Sequence, residues 1–369
     1  MKERGNKWLK FWDRYLGIPL LFILGLFRKK RSLPKKIERI GLLKSAGIGD
    51  LVLLSGIIED LKGKEVLLFT GESNREMGKM IQGVKVISLP ITHPFSAMVK
   101  LRKHSVDIWI DCDSWPRISG LFTLFSRSKY TIGFKTQGQG RHWVYDLSIP
   151  YAFFHHEIEN YRALIQPLAI VSKHPPRIII RPTHSEKRVV AHMFSGGSKA
   201  HLKKWPEKYW KELILRMTHL GYQVDLTGDR SQYEALKRFS PEATNYAGAF
   251  SLRETAHHLK KCVCVISVDT GIMHLAAAIG CPVISLHGPT SPNRWGAKGE
   301  QVISLIPLMR YSPCIQLGFE SKCRENRCLQ ALTVDQVFDA FIKITHGMTH
   351  ENSYFSRRKW DASLASVSC

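Results

Sequence analysis

Asp269, Thr270, Gly271 and His274 stand at the head of a small-residue run in SVDTGIMHLAAAIGCPVISLHGPTSP, residues 267–292. The apolar CVCVISV before them predicts a strand and TGIMHLAAAIG a helix, so Thr270-Gly271 opens a helix whose first N–H groups lack intrahelical partners. Such a terminus attracts phosphate, and a glycine there lets a diphosphate approach the backbone. His274, one turn further on the side of Thr270, could donate to a phosphate or a ribose. Gly288 and Thr290, in the turn after the next apolar run, add N–H and hydroxyl donors. Helix capping would explain Asp269 or Thr270 singly, but not the whole set.

Two further stretches point to related chemistry. In HMFSGGSKAHLKKWPEKYW, Ser195, Gly196 and Gly197 follow a strand and suit a backbone nest for phosphate oxygens. Lys203 and Lys204 precede Trp205-Pro206, with Pro206 at a helix start, and a lysine there could neutralise a departing diphosphate. A solvated basic loop is the plainer alternative. In KSAGIGDLVLL, Gly47 and Gly49 form a turn and Asp50 opens a helix. The G-K-[ST] ending of a P-loop is missing, and G-x-G without a third glycine is a weak dinucleotide signal. Asp50 reads either as a helix cap or as a general base for an acceptor hydroxyl.

No metal is expected. Asp111-Cys112-Asp113 has D-x-D spacing, but the preceding IWI places it at a strand end. Cys314, Cys323 and Cys328 are spaced C-x8-C-x4-C, without the close pairs of a zinc site. Several of the eight cysteines lie in apolar runs, as small hydrophobes do. They suggest a reducing cytoplasm rather than a disulfide framework.

The elements that position these residues alternate. Apolar strands are predicted at 37–44, 65–70, 84–89, 106–113 and 131–134, with helical spacing between several of them. A second series of strands at 188–194, 222–228, 262–269 and 282–288 follows the proline-containing segment 173–182. The pattern predicts an α/β chain of two Rossmann-like domains with parallel sheets, facing a central cleft, with ligands beyond the carboxyl ends of the strands. The divisions expected are a membrane-associated segment 1–36, domains 37–175 and 176–348, and a weakly ordered tail 349–369.

Lys and Arg number 54 against 31 Asp and Glu, a formal charge of +23 that favours anionic partners. Residues 8–27, WLKFWDRYLGIPLLFILGLF, are apolar and aromatic, and RKKRSLPKK follows. The uninterrupted part, 15–27, is shorter than the roughly 20 residues a spanning helix needs. It reads as an amphipathic membrane-surface segment: Trp8, Phe11 and Trp12 dip toward acyl chains while the basic run meets anionic headgroups. A helix packed on the protein body is the alternative. No RNP-type aromatic run, zinc-finger spacing or basic helix-turn-helix is present, so no nucleic-acid partner is expected.

Taken together, SGG…KKWP…LTGDR…YAGAFSLRE…SVDTGIMHLAAAIGCPVISLHGPTSP resembles glycosyltransferase family 9, whose best-known members are lipopolysaccharide heptosyltransferases. GIGDLVLLSGIIEDL, YTIGF and HHEIENYRALIQPL extend the similarity from about Ile37 to about Val337. The resemblance implies a GT-B fold and an inverting, metal- and cofactor-independent transfer. Heptose would pass from a nucleotide-sugar donor, ADP-heptose, to a lipopolysaccharide-type or other lipid-linked saccharide at the cytoplasmic face of a bacterial inner membrane. It implies that Asp50 is the catalytic base and Lys203 a contact to the donor phosphates. It puts Ser195 and Gly196 in the phosphate loop, and Asp269, Thr270, Gly271 and His274 in the donor segment. Glu234 is the residue expected at the ribose. Ser55-Gly56 departs from the Thr-Pro or Leu-Pro of many members, and SKAHL is longer than the usual linker to KKWP. Both departures are expected in cleft-facing loops. A nucleotide-sugar-modifying enzyme such as a two-domain epimerase is the alternative reading.

Overall fold

The computed structural model describes residues 7–181, 184–197, 199–239, 241–315 and 323–346, with side chains from residue 11. These fall into two compact units that divide between Ile179 and Ile180. The expected tail 349–369 lies outside the described residues, as does the Trp8 side chain.

The first unit opens with α1 (Lys7–Tyr15) and α2 (Gly17–Leu26). β1 (Arg39–Lys44), α3 (Ile48–Asp60), β2 (Glu65–Gly71), α4 (Arg75–Met80), β3 (Val84–Leu89) and α5 (Pro94–Leu101) follow. β4 (Ser105–Asp111), α6 (Ile118–Phe125), β5 (Arg127–Lys135), β6 (Leu147–Pro150) and α7 (Glu157–Ile165) complete it. All strands pair in parallel, in the order β3-β2-β1-β4-β5-β6. Leu42 in β1 stands beside Leu68 on one side and Ile110 on the other. Both faces of such a sheet are covered, which is why its strands read as unbroken apolar runs. Leu43, Phe69, Trp109 and Phe122 pack in the core. The Trp109 indole donates to Thr123 Oγ1 at 3.0 Å, so its N–H is satisfied inside.

The second unit runs β7 (Glu186–His192), α8 (Glu207–His219), β8 (Gln223–Leu226), α9 (Tyr233–Leu236), β9 (Thr244–Asn245) and α10 (Leu252–Lys260). β10 (Cys262–Val268), α11 (Gly271–Ala278), β11 (Val283–Leu286), α12 (Pro292–Trp295), β12 (Val302–Leu305), α13 (Arg327–Gln330) and α14 (Val334–His346) follow. The order is β12-β11-β10-β7-β8-β9, again parallel throughout. α10 begins with a capping box, in which Ser251 accepts from the Glu254 N–H and the Glu254 carboxylate accepts from the Ser251 N–H.

Numbered within each unit, both sheets have the doubly wound order 3-2-1-4-5-6. Connections leave in opposite directions from the first and fourth strands, opening a crevice past their carboxyl ends where ligands bind. Those switch points fall between β1 and β4, and between β7 and β10.

Candidate active site

The first switch point is built around Asp50. β1 ends at Lys44, and the chain turns through Gly47 into α3. Gly47 has φ of +102° and holds the N-cap position, and a Cβ on it would overlap Asp50 Oδ2. The glycine is thus required twice, by the backbone conformation and by the carboxylate beside it. Asp50 lies in the first helical turn. Its Oδ1 accepts from the Tyr161 hydroxyl at 3.0 Å, and its Oδ2 is 3.5 Å from Lys44 Nζ. The side chain keeps 24% exposure. A base needs a held orientation and an open edge, and Asp50 has both.

Lys44 is the residue that sequence reasoning overlooked. It is the last residue of an apolar strand and its side chain is 7% exposed. Lysines are almost never buried unless paired. This one lies 3.3 Å from Asp113 as well as 3.5 Å from Asp50. Burial by itself would lower its pKa, but Asp50, Asp113 and Glu157 reverse that and raise it, so the ammonium stays charged. Asp113 also accepts the Ser45 N–H at 3.1 Å, tying the end of β4 to the turn after β1. Asp111 accepts from Arg141 Nη2 and the Tyr145 hydroxyl, each at 2.7 Å and fully buried. Both carboxylates of the D-x-D spacing are thereby engaged by side chains of the same unit.

The second switch point is built around Lys203 and Asp269. Lys203 ends a short 3-10 turn, Ala200–Lys203, after β7, and Asp269 follows β10. Their charged groups meet at 2.7 Å, with side-chain exposures of 15% and 10%. Burial would raise the Asp269 pKa; the Lys203 ammonium above all, with His287 and His274, brings it down to about 2. Thr270 caps α11, accepting from the N–H groups of Ile272 at 3.1 Å and Met273 at 3.4 Å, a cap that contributes about 1 kcal/mol. Gly271 is the first helical residue, and His274 is buried one turn on. The positive end of the helix dipole therefore lies beside the lysine.

The remaining residues are arranged around this pair. Ser195, Gly196 and Gly197 form the loop after β7; Gly196 and Gly197 are exposed, and Gly197 has φ of +85°. Trp205 fixes the other end of that segment. It is buried edge-on against Trp210, and its indole donates to the Leu332 carbonyl at 2.8 Å. Gly288 backs onto α13, where a Cβ would come within 2.6 Å of Leu329. Thr290 is buried, its hydroxyl 3.4 Å from His287 Nδ1. Glu234 is exposed on α9.

Cys314, Cys323 and Cys328 line one cavity of about 310 Å³ with Leu202, next to Lys203 in the chain. Burial pushes the Cys328 thiol up to about 11. No group of three or more His, Cys, Asp or Glu among the described residues is arranged to hold a metal. The Ser55-Gly56 departure is not at a loop. Ser55 Oγ accepts the Arg177 N–H at 2.9 Å, and a Cβ on Gly56 would come within 2.6 Å of the His174 carbonyl. The pair seats the segment that leaves the first unit.

Two doubly wound units of this order, with charged side chains at each switch point, define the GT-B architecture. Solved structures share it. Heptosyltransferase II of Escherichia coli superposes with a TM-score of 0.68 at 18% identity, covering 84% of this chain and 99% of that one. An E. coli heptosyltransferase solved with ADP gives 0.67 at 20%, covering 83% and 99%. Lipopolysaccharide heptosyltransferase 1 of Pseudomonas aeruginosa is 36% identical over 127 residues, which are 34% of this chain and 36% of that protein. Such sequence matches span about a third of the curated relatives' length. The model of glycosyltransferase family 9 (heptosyltransferase) matches residues 95–323. The chain belongs to glycosyltransferase family 9.

Proposed function

We propose that this protein is an inverting glycosyltransferase that moves a heptose from ADP-heptose to a lipid-linked saccharide of the lipopolysaccharide type. In this reading the first unit takes the acceptor and the second the donor, working from the cytoplasmic side of the membrane. The observation that carries it is which partner of each Lys–Asp pair is the more exposed: Asp50 at 24% against Lys44 at 7%, and Lys203 at 15% against Asp269 at 10%. A carboxylate with an open edge stands at the switch point of the first unit, and a lysine with a helix N-terminus at that of the second. The names of the relatives supply the sugar; the solved relative bound to ADP-2-deoxy-2-fluoro heptose supplies the nucleotide.

Asp50 accepts the proton of the acceptor hydroxyl as its oxygen attacks the anomeric carbon. The bond to the diphosphate breaks on the opposite face, so the centre inverts. Lys203, the amides of Ser195–Gly197 and the Thr270–Gly271 end of α11 stabilise the departing negative charge, electrostatic assistance that needs no divalent ion. His274 and Glu234 serve the ribose and phosphate, and Gly288 and Thr290 shape the far wall of the donor site.

The test is a thermal-shift panel of ADP-, UDP- and GDP-sugars, followed by incubation with a heptose-deficient lipid-linked acceptor. ADP-heptose should raise the melting temperature most, since a ligand that binds only the folded state stabilises it. The acceptor should gain one heptose. Release of an altered free sugar nucleotide without any acceptor would favour an epimerase instead.

A further inference from the structure

α1 and α2 form one rod, hydrogen-bonded through Leu16, rather than two independent helices. Leu16 N–H still donates to the Trp12 carbonyl and Leu20 N–H to Leu16, each at 3.0 Å, while Pro19 has no N–H to give. One stripe of α2 is fixed to the first unit. Gly17, Leu21 and Gly25 recur at i, i+4 and i+8, one helical face. Leu21 is fully buried with Val144 and Tyr145. A Cβ on Gly17 would come within 2.6 Å of Arg117, and one on Gly25 within 2.7 Å of Trp143. Asp13 Oδ1 accepts the Ile118 N–H at 2.9 Å, holding α1 to the start of α6. Beyond α2, Arg28 and Arg31 both pair with the buried Asp146, at 3.2 and 2.7 Å.

Among the described residues, the other side of the rod is largely exposed. Leu16, Leu20, Ile23 and Phe27 lie outward at 50%, 41%, 52% and 82% exposure, with Phe11 and Trp12 on α1 half exposed. Lysines 29, 30, 35 and 36 follow and are exposed, Arg28 and Arg31 of the same run being used on Asp146. No helix among the described residues is long and apolar enough to cross a membrane.

We propose that the outward face of α1–α2, with the exposed lysines after it, is a docking surface for an anionic phospholipid bilayer, fixed rigidly to the first unit. On this proposal the segment packs on the protein body by one face and meets the membrane surface by the other. Aromatic and aliphatic side chains enter the acyl boundary and the lysines meet headgroups, the division interfacial helices use. A second copy of the chain fits worse. It would bring two sets of exposed lysines together on molecules that each carry +23. The purpose of the anchor rests on the proposed lipid-linked acceptor, but binding is measured without any acceptor.

The experiment is co-sedimentation of the full chain with vesicles of phosphatidylcholine alone and of phosphatidylcholine with an equal part of phosphatidylglycerol. The wild type should bind the anionic vesicles at least tenfold more strongly, less so at high salt (about fivefold per engaged lysine). Ile23→Ser/Phe27→Ser should weaken anionic binding by roughly tenfold or more, with an unchanged melting temperature. Lys29→Glu/Lys30→Glu should remove most of the preference for anionic lipid. Turnover of a water-soluble acceptor fragment should be unaffected by either pair, so loss of docking and loss of transfer are read separately. Three results would each overturn the proposal: equal binding to both vesicles, wild-type binding by the serine pair, or a dimer in solution that the serine pair dissociates.

Discussion

Lys203 and Asp269 come from opposite flanks of the switch point in the second sheet and meet at 2.7 Å. Sequence reasoning had placed Lys203 at the donor phosphates and Asp269 in the donor segment without joining the two. Asp269, ionised well below neutrality, cannot favour a phosphate directly; it holds the ammonium proposed to do so. Lys203→Ala should therefore lower kcat/KM by roughly 10²–10³-fold, the usual cost of removing one donor to a developing oxyanion. Asp269→Asn should cost less in rate. Steady-state kinetics on both variants, with melting temperatures alongside, check this ordering.

Lys44 is assigned to positioning. It touches two carboxylates and no open surface. Lys44→Met removes the ammonium that holds Asp50 beside Asp113, so kcat should fall by roughly 10²-fold, the usual cost of a misplaced catalytic group. Donor affinity should stay near wild type, because the residues proposed to bind the donor lie on the other unit. Lys44→Arg, which keeps the charge, should recover most of the rate; equal loss in the methionine and arginine variants would mean that Lys44 is structural only.

Gly47→Ala tests the turn. The added methyl meets Asp50 Oδ2 in a backbone conformation alanine avoids. A displaced catalytic group commonly costs about 10²-fold. Single-turnover rates should fall by that order while the donor Kd is unchanged.

Stability should fall on acidification before any carboxylate of the donor site titrates. Burial holds His192 and His287 down to about 4, against an ordinary 6.5. Between those values the unfolded chain binds protons that the folded one refuses, so stability declines as pH drops from 6.5 toward 4. At pH 5 the two together cost several kcal/mol, about 2 each. Asp269, depressed to about 2, adds its loss only below the ordinary carboxylate range. Denaturant midpoints at pH 7 and pH 5 measure the drop, and His192→Gln should remove about half of it.

How much was legible in the chain follows from what each signal reports. VLLF at 66–69 and CVCVISV were readable because parallel strands covered on both faces carry unbroken apolar runs. β6 and β12, four residues each and half-exposed along much of their length, were not. Asp50 was legible as a candidate at a helix start, but that Gly47 rather than Asp50 takes the N-cap position was not. Lys44 left one faint trace, a lysine closing an apolar strand just before a glycine turn. Its role depends on Asp113, which lies 69 residues further along, a pairing that spacing within a motif does not reveal. Ser55-Gly56 was placed in a cleft-facing loop as a departure from the family pattern, although LVLLSGIIEDLK has helical spacing and the pair lies inside α3.

The central claim is that Asp50 is the base. Asp50→Asn keeps an acceptor for the Tyr161 hydroxyl and the shape of the turn while removing the ability to take a proton. The decisive measurement is single-turnover transfer by this variant at saturating ADP-heptose, with donor binding measured on the same preparation. The account predicts wild-type donor affinity with transfer reduced by at least 10³-fold. Transfer at the wild-type rate with donor fully bound would contradict it.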